Sequence, residues 1–203
     1  MCIVFGVHTR LSKKVVVIYT STVSLEDLKS LFVKIMHEVE MVNIIDESLL
    51  REVMANGKIT LGITKRICSY AIHAQDIGAH LILNQRSSVG EAVNVARNLI
   101  NIPYVKIDEQ MAEDVAEKLG KEVSVKKCLV DGALEILMQG KNIEKYNRLV
   151  IDVIEKKSKT CDVIALPQGS MIGILPLLQD IKVPVLSNPE SGVRRVAKIL
   201  ESI

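Results

Sequence analysis

A chain of 203 residues with 48% hydrophobic content can bury a substantial core, either as one large domain or as two small ones. Its 26 basic and 24 acidic residues are well mixed, the net charge is +2 and aromatics are 3%, so the basic footprint and stacking rings of a nucleic-acid binder are missing. No apolar run reaches the ~18 residues of a membrane span, and Met1 to Phe5 lacks the basic start and long apolar core of a secretory signal, so a cytoplasmic protein without a membrane partner is expected.

In chain order, Lys13-Lys14 introduces Val15 to Tyr19, a β-branched run that reads as a buried strand, and Thr20-Ser21-Thr22 is its exit loop. Ser24 with Asp27 has the form of a capping box, and the helix behind it carries Leu25, Leu28, Leu31, Phe32, Ile35 and Met36 on one face. Val39 to Ile45 is the second predicted strand. After Asp46-Glu47-Ser48 comes a helix over Leu49 to Ala55 that Asn56-Gly57 stops, then a longer helix from Ile59 to Ile77 that ends at Gly78.

Ala79 to Leu83 is a short apolar run cut off by polar residues, the pattern of a fully buried parallel strand. Ser88 stands at an N-cap position with Glu91 three residues on, and Ala92, Val93, Ala96, Leu99 and Ile100 recur at helical spacing. Asn101-Ile102-Pro103 closes that helix, and Tyr104 to Ile107 is the next strand, which completes a βαβ unit. Asp108 then caps a helix to about Leu119, and Val123 to Val130 reads as a strand. Asp131-Gly132 turns into a short helix. Asn142 opens a longer one with Ile143, Tyr146, Val150, Val153 and Ile154 facing inward. Val163 to Leu166 and Val183 to Leu186 are the last strands. Ser187-Asn188-Pro189 caps the final helix, which runs to about Leu200. Strands alternate with helices throughout, so the expected class is α/β with parallel sheets.

Four strand exits carry small hydroxyl or amide residues: Thr20-Ser21-Thr22, Asn84 to Ser88, Gln168-Gly169-Ser170 and Ser187-Asn188. The carboxyl ends of parallel strands are where open α/β sheets bind ligands, and the helix N-termini behind them favour an anion. Thr20, Ser21, Asn84, Ser87, Ser88, Gln168, Gly169 and Ser187 are therefore candidate contacts for a small carboxylate. Helix capping alone also explains these residue types. No phosphate-cradling glycine motif is present to support a nucleotide.

Cys2, Cys68, Cys128 and Cys161 are far apart with no C-x-x-C pair, so neither zinc nor a disulfide framework is expected. Cys68 and Cys161 sit on apolar stretches and read as core filling. His8, His37, His73 and His80 share no ligand spacing.

LILNQRSSVGE, IPYVKIDEQMAED and LPQGSM resemble VILNACSSVGE, IPIVRIDEAMAE and AQASM of one branch of the aspartate/glutamate/hydantoin racemase superfamily. The resemblance extends to VVVIYTSTVSLEDL, NIIDESLLREVMANG, LVDGALEILMQG and VPVLSNPESGV, most of the chain after Val15. It implies two Rossmann-like lobes, residues 1–110 and a reduced 111–188, with helix 189–203 packing back on the first. The inter-lobe cleft would take an amino acid or related carboxylic acid without a cofactor or metal, in a homo-oligomer. In that superfamily two cysteines face opposite sides of the substrate α-carbon, one removing its proton and the other returning one.

This chain departs from that pattern. Arg86 stands at the first cysteine position, and an arginine stays protonated and cannot be the base. Gly169-Ser170 stands at the second, where Ser170 is the remaining candidate but needs an activating partner, and no histidine is near it in sequence. A further strand and helix expected near Met111 to Lys118 are also missing. Two functions stay open: racemase or isomerase chemistry at an α-carbon, and a catalytically inactive member that binds a ligand or regulates.

Overall fold

The computed structural model describes residues 12–36, 38–85, 87–107, 111, 114, 115, 124, 126, 128–138 and 142–203. Arg86, Cys2, His8, His37 and most of the helix expected over Asp108 to Leu119 lie outside the described residues.

The first half is a parallel sheet wrapped by helices. β1 (Lys13–Tyr19), α1 (Leu25–Ile35), β2 (Val39–Ile45), α2 (Glu47–Asn56), α3 (Leu61–Asp76), β3 (Leu81–Asn84), a short 3₁₀ turn (Ser87–Val89), α4 (Gly90–Arg97) and β4 (Tyr104–Lys106) follow in order. The sheet order is β2-β1-β3-β4, and every pairing is parallel. Along β1 the side chains alternate between two cores, as a strand's two-residue period requires. Val16 and Ile18 join Leu49, Ile63, Ile67, Ile82 and Val93 under α2, α3 and α4. Val15, Val17 and Tyr19 join Leu28, Phe32, Leu81 and Leu83 on the opposite face. All five β1 residues from Val15 to Tyr19 are fully buried, which is why this run carries no polar alternation.

The second half is smaller. α5 (Ala133–Met138), α6 (Ile143–Lys157), β5 (Ile164–Leu166), a 3₁₀ segment (Gly169–Leu177), β6 (Val185–Ser187) and α7 (Asn188–Ser202) complete the chain. β5 and β6 form a separate two-stranded parallel sheet, with a third core of Tyr146, Val150, Ile154, Leu166, Met171, Ile174 and Leu178. The last helix returns to the first sheet: Val193, Val196 and Leu200 of α7 pack with Val105 and Ile107. Gly192 permits that approach, because a Cβ there would lie 2.5 Å from Ile107 Cγ1 and 3.1 Å from the Ile107 backbone.

Several local expectations hold and several change. Gly57 ends α2 in the left-handed region at φ 65°, where a side chain would be strained. Asn142 caps α6 by accepting from Lys145 N at 2.8 Å. α3 starts at Leu61 with Thr60 as its cap, two residues later than its apolar pattern begins. Ser24, Ser88 and Ser187 do not cap with their side chains: α4 is capped at Val89, and neither α1 nor α7 has a side-chain cap bond. Ile143 is 55% exposed rather than inward, being the first residue of α6 and beyond its packed stripe. The described residues between 124 and 130 are not in a strand, and Leu129 there is 85% exposed.

Candidate functional site

In the order β2-β1-β3-β4 the chain leaves β1 toward one side and resumes at β3 on the other. The crevice at the carboxyl ends of such a switch is the standard ligand position in an open parallel sheet. Thr20 and Ser21 follow β1 there, and Asn84 and Gln85 end β3 beside them, with Gln85 N donating to Ile18 O at 3.0 Å. Ile107 N donates to Asn84 O at 3.0 Å, which ties the end of β4 to the same corner.

The second sheet brings its own exit loops to this corner. Gly169 is buried against Gln85 and Ser24: a Cβ at 169 would lie 1.8 Å from Gln85 Nε2 and 3.1 Å from Ser24 Oγ. Gln85 Nε2 donates to Ser24 Oγ at 2.7 Å, a buried bond between residues 61 apart in sequence. Ser24 therefore spends its hydroxyl on the β3 exit and not on its own helix. Beside Gly169, Ser170 is 6% exposed and its Oγ lies 3.0 Å from the Tyr146 hydroxyl. Tyr146 is the partner that the sequence around Ser170 did not reveal, since it arrives from α6. A phenol is a poor base near neutral pH, so this pair orients the serine hydroxyl and does not ionise it.

β5 and β6 pair Leu166 with Ser187, so the two remaining exits are neighbours. Asn188 Nδ2 donates to Pro167 O at 2.6 Å and closes them together. Gln168 is exposed.

Polar atoms without partners concentrate on these carboxyl edges. Thr20 Oγ1, Ser88 Oγ, Ser187 Oγ and Asn188 Oδ1 are buried and find no hydrogen-bond partner among the described residues. Leaving a buried hydroxyl or amide unpaired costs about 1–3 kcal/mol each, so four of them at strand exits call for a ligand or water. The N-termini of α4 and α7 add a positive dipole end. The hydroxyl of Tyr19 is similarly unpartnered on the last residue of β1, and burial followed by the Glu26 charge pushes it above the usual tyrosine range.

Among the described residues, the cysteines lie away from this arrangement. Cys68 packs on α3 against the first core, where burial raises its thiol above the usual range. Cys161 precedes β5, at the end opposite the exit loops, and Cys128 is exposed. Among the described residues no group of three His, Cys, Asp or Glu is placed to hold a metal ion, and no helix is long and apolar enough to cross a membrane.

A second polar cluster, not foreseen from sequence, braces the corner from the β2 side. Asp46, at the exit of β2, accepts from Tyr70 OH at 2.7 Å and from Arg66 at 3.1 Å, and Arg66 also pairs with Glu52. Asp46 N donates to Tyr19 O at 2.9 Å, so this brace fixes the end of β1.

No protein-family model and no curated protein matches the sequence. Solved structures match over nearly the whole chain. An aspartate racemase from Picrophilus torridus superposes with TM-score 0.71 at 12% identity, covering 93% of this chain and 94% of that one. An aspartate racemase homologue from Pyrococcus horikoshii gives 0.64 at 17% identity, over 93% and 99% of the two chains. An allantoin racemase from Klebsiella pneumoniae gives 0.56 at 16% identity, over 94% and 89%.

Proposed function

We propose, from the premise that this chain folds as the Asp/Glu and allantoin racemases do, that it binds a small carboxylic acid or amino acid where the two sheets meet. Thr20, Ser21, Asn84, Ser88, Ser170 and Ser187 would line the site, with lobes divided near residue 110. Four buried polar atoms without partners, Thr20 Oγ1, Ser88 Oγ, Ser187 Oγ and Asn188 Oδ1, are the observation that carries this reading. A carboxylate has the acceptor sites and an amino group the donors that such hydroxyls and a carboxamide need.

We further propose that the protein does not racemise by the two-thiol route. Position 169 has no room for any side chain while Gln85 occupies its volume, and Arg86 replaces the other expected thiol. The partner of Ser170 is a phenol, which is a poor general base for a serine hydroxyl.

Two measurements on the intact protein separate the parts. Titration calorimetry with aspartate, glutamate, alanine and leucine reports binding, and absence of heat with every one of them refutes the ligand site. Proton NMR in deuterated water reports α-proton exchange. Rapid exchange by the wild type refutes the inactive reading and returns the protein to racemase chemistry.

A further inference from the structure

A cavity of about 150 Å³ opens beside the candidate site, lined by Val23, Ile136, Leu137, Asn142, Ile143 and Tyr146. Two of its walls belong to the site's own framework. Val23 immediately precedes Ser24, whose hydroxyl holds Gln85, and Tyr146 lines the cavity while its hydroxyl meets Ser170. Four of the six lining residues are aliphatic and none is charged. The polar exceptions are already engaged: Asn142 Oδ1 caps α6 through Lys145 N, and Tyr146 OH is bonded to Ser170. Val23 and Ile143 are 45% and 55% exposed at the rim, so aliphatic surface faces this opening from both sides.

A mostly aliphatic pocket of about 150 Å³ is large enough for a branched aliphatic side chain. A carboxylate placed in it would meet no cation among the described lining residues, whereas an aliphatic side chain would meet aliphatic carbon. We infer that this cavity receives the aliphatic side chain of the ligand, so that the site takes a branched or medium-length aliphatic amino acid or its 2-substituted acid, and rejects acidic side chains. This assignment rests on the carboxylate-binding reading of the corner formed by Thr20, Ser170 and Ser187. The polar end of the ligand then satisfies the strand exits, and its apolar end fills the space between the β1–α1 loop and α5–α6.

Calorimetric titration of the full chain with L-leucine, D-leucine, L-alanine and L-aspartate tests it, in the wild type and in Val23→Trp and Ile143→Trp. Both positions are exposed, so the indole is tolerated at the rim and closes the opening. The expected result is that one leucine enantiomer binds at least about 10-fold more tightly than alanine or aspartate, the discrimination an apolar pocket gives for added methylenes. Either tryptophan variant should reduce the preference for leucine over alanine to about onefold. Equal binding of leucine and alanine, tighter binding of aspartate, or a leucine preference unmoved by both variants overturns the cavity assignment while leaving the carboxylate site standing. Failure of all four amino acids to bind the wild type overturns the carboxylate reading itself, and the cavity assignment falls with it.

Discussion

Gln85 fills the volume that a side chain at position 169 would need, its Nε2 lying 1.8 Å from where a Cβ would stand. Gly169 and Gln85 come from different sheets, so this contact makes the absence of a side chain at one a condition for the position of the other. Replacing Gly169 by alanine should expel the Gln85 carboxamide, break its bond to Ser24 and destabilise the protein by about 1–3 kcal/mol, the usual cost of overpacking. Urea denaturation reads the loss. A midpoint equal to wild type would show that Gln85 moves aside freely.

The same contact determines how thiol chemistry would have to be restored. Arg86→Cys with Gly169→Cys should give no α-proton exchange, because the second thiol displaces Gln85 and does not reach a defined position. Adding Gln85→Ala removes the obstruction, and the triple variant is the one expected to show exchange by NMR in deuterated water. Exchange by the double variant without the Gln85 change would remove Gln85 as the barrier.

Much of the fold was legible because local signals and burial agree. β2 spans Val39 to Ile45 as its residues suggest, and the apolar run beginning at Ala79 is a fully buried strand from Leu81. The helix-cap misreadings arise because serine hydroxyls that match a cap in sequence are turned away from their own helix. Ser24 has the sequence form of a cap, yet its hydroxyl is taken by Gln85, and Ser88 and Ser187 keep theirs buried and unpartnered on the strand exits. Tyr146 has the spacing of a core residue and is one, but its hydroxyl reaches Ser170 from 24 residues away. A pairing between separate elements leaves no periodic trace in sequence. The glycine at 169 was the available signal, since a glycine at a strand exit often marks close approach of another backbone or side chain.

Tyr146→Phe should cost about 1–3 kcal/mol in stability if it leaves the buried Ser170 hydroxyl without its partner. Thermal unfolding in the presence and absence of a bound amino acid separates structure from function. A ligand that satisfies Ser170 should recover part of the loss. A variant as stable as wild type would mean that Ser170 already has another partner.

Strand burial gives two contrasting magnitudes. Leu83 is fully buried in the second core, so Leu83→Ala should destabilise by about 2–5 kcal/mol. Ile164 opens the two-stranded sheet and is only half-buried, so Ile164→Ala should fall below that range. Equal losses in chemical denaturation would contradict the burial difference.

The Asp46 brace predicts how stability follows pH. Burial alone would raise its carboxyl, but hydrogen bonds from Ser48 and Tyr70 and the Arg66 charge outweigh it and hold the group below its ordinary value of 3.8. A carboxyl lowered on folding contributes stability that is present above the unfolded value and lost as pH falls through the folded one. Wild-type stability should therefore drop as pH falls from about 4 toward 2, the range below an ordinary aspartate. Asp46→Asn should lower stability at neutral pH and flatten that acid slope. The partner titrates at the other extreme: burial first, then the hydrogen bond and charge of Asp46, raise the Tyr70 phenol from 10.0 to about 12. Its contribution is complete below pH 10 and is lost as pH rises toward 12, and Tyr70→Phe should make that alkaline slope shallower, the buried Tyr19 and Tyr104 phenols carrying the rest. Urea midpoints measured from pH 2 to 11 for wild type, Asp46→Asn and Tyr70→Phe check both ends. An acid slope unchanged in Asp46→Asn would show that other carboxylates carry it and that the brace does not couple the end of β1 to pH.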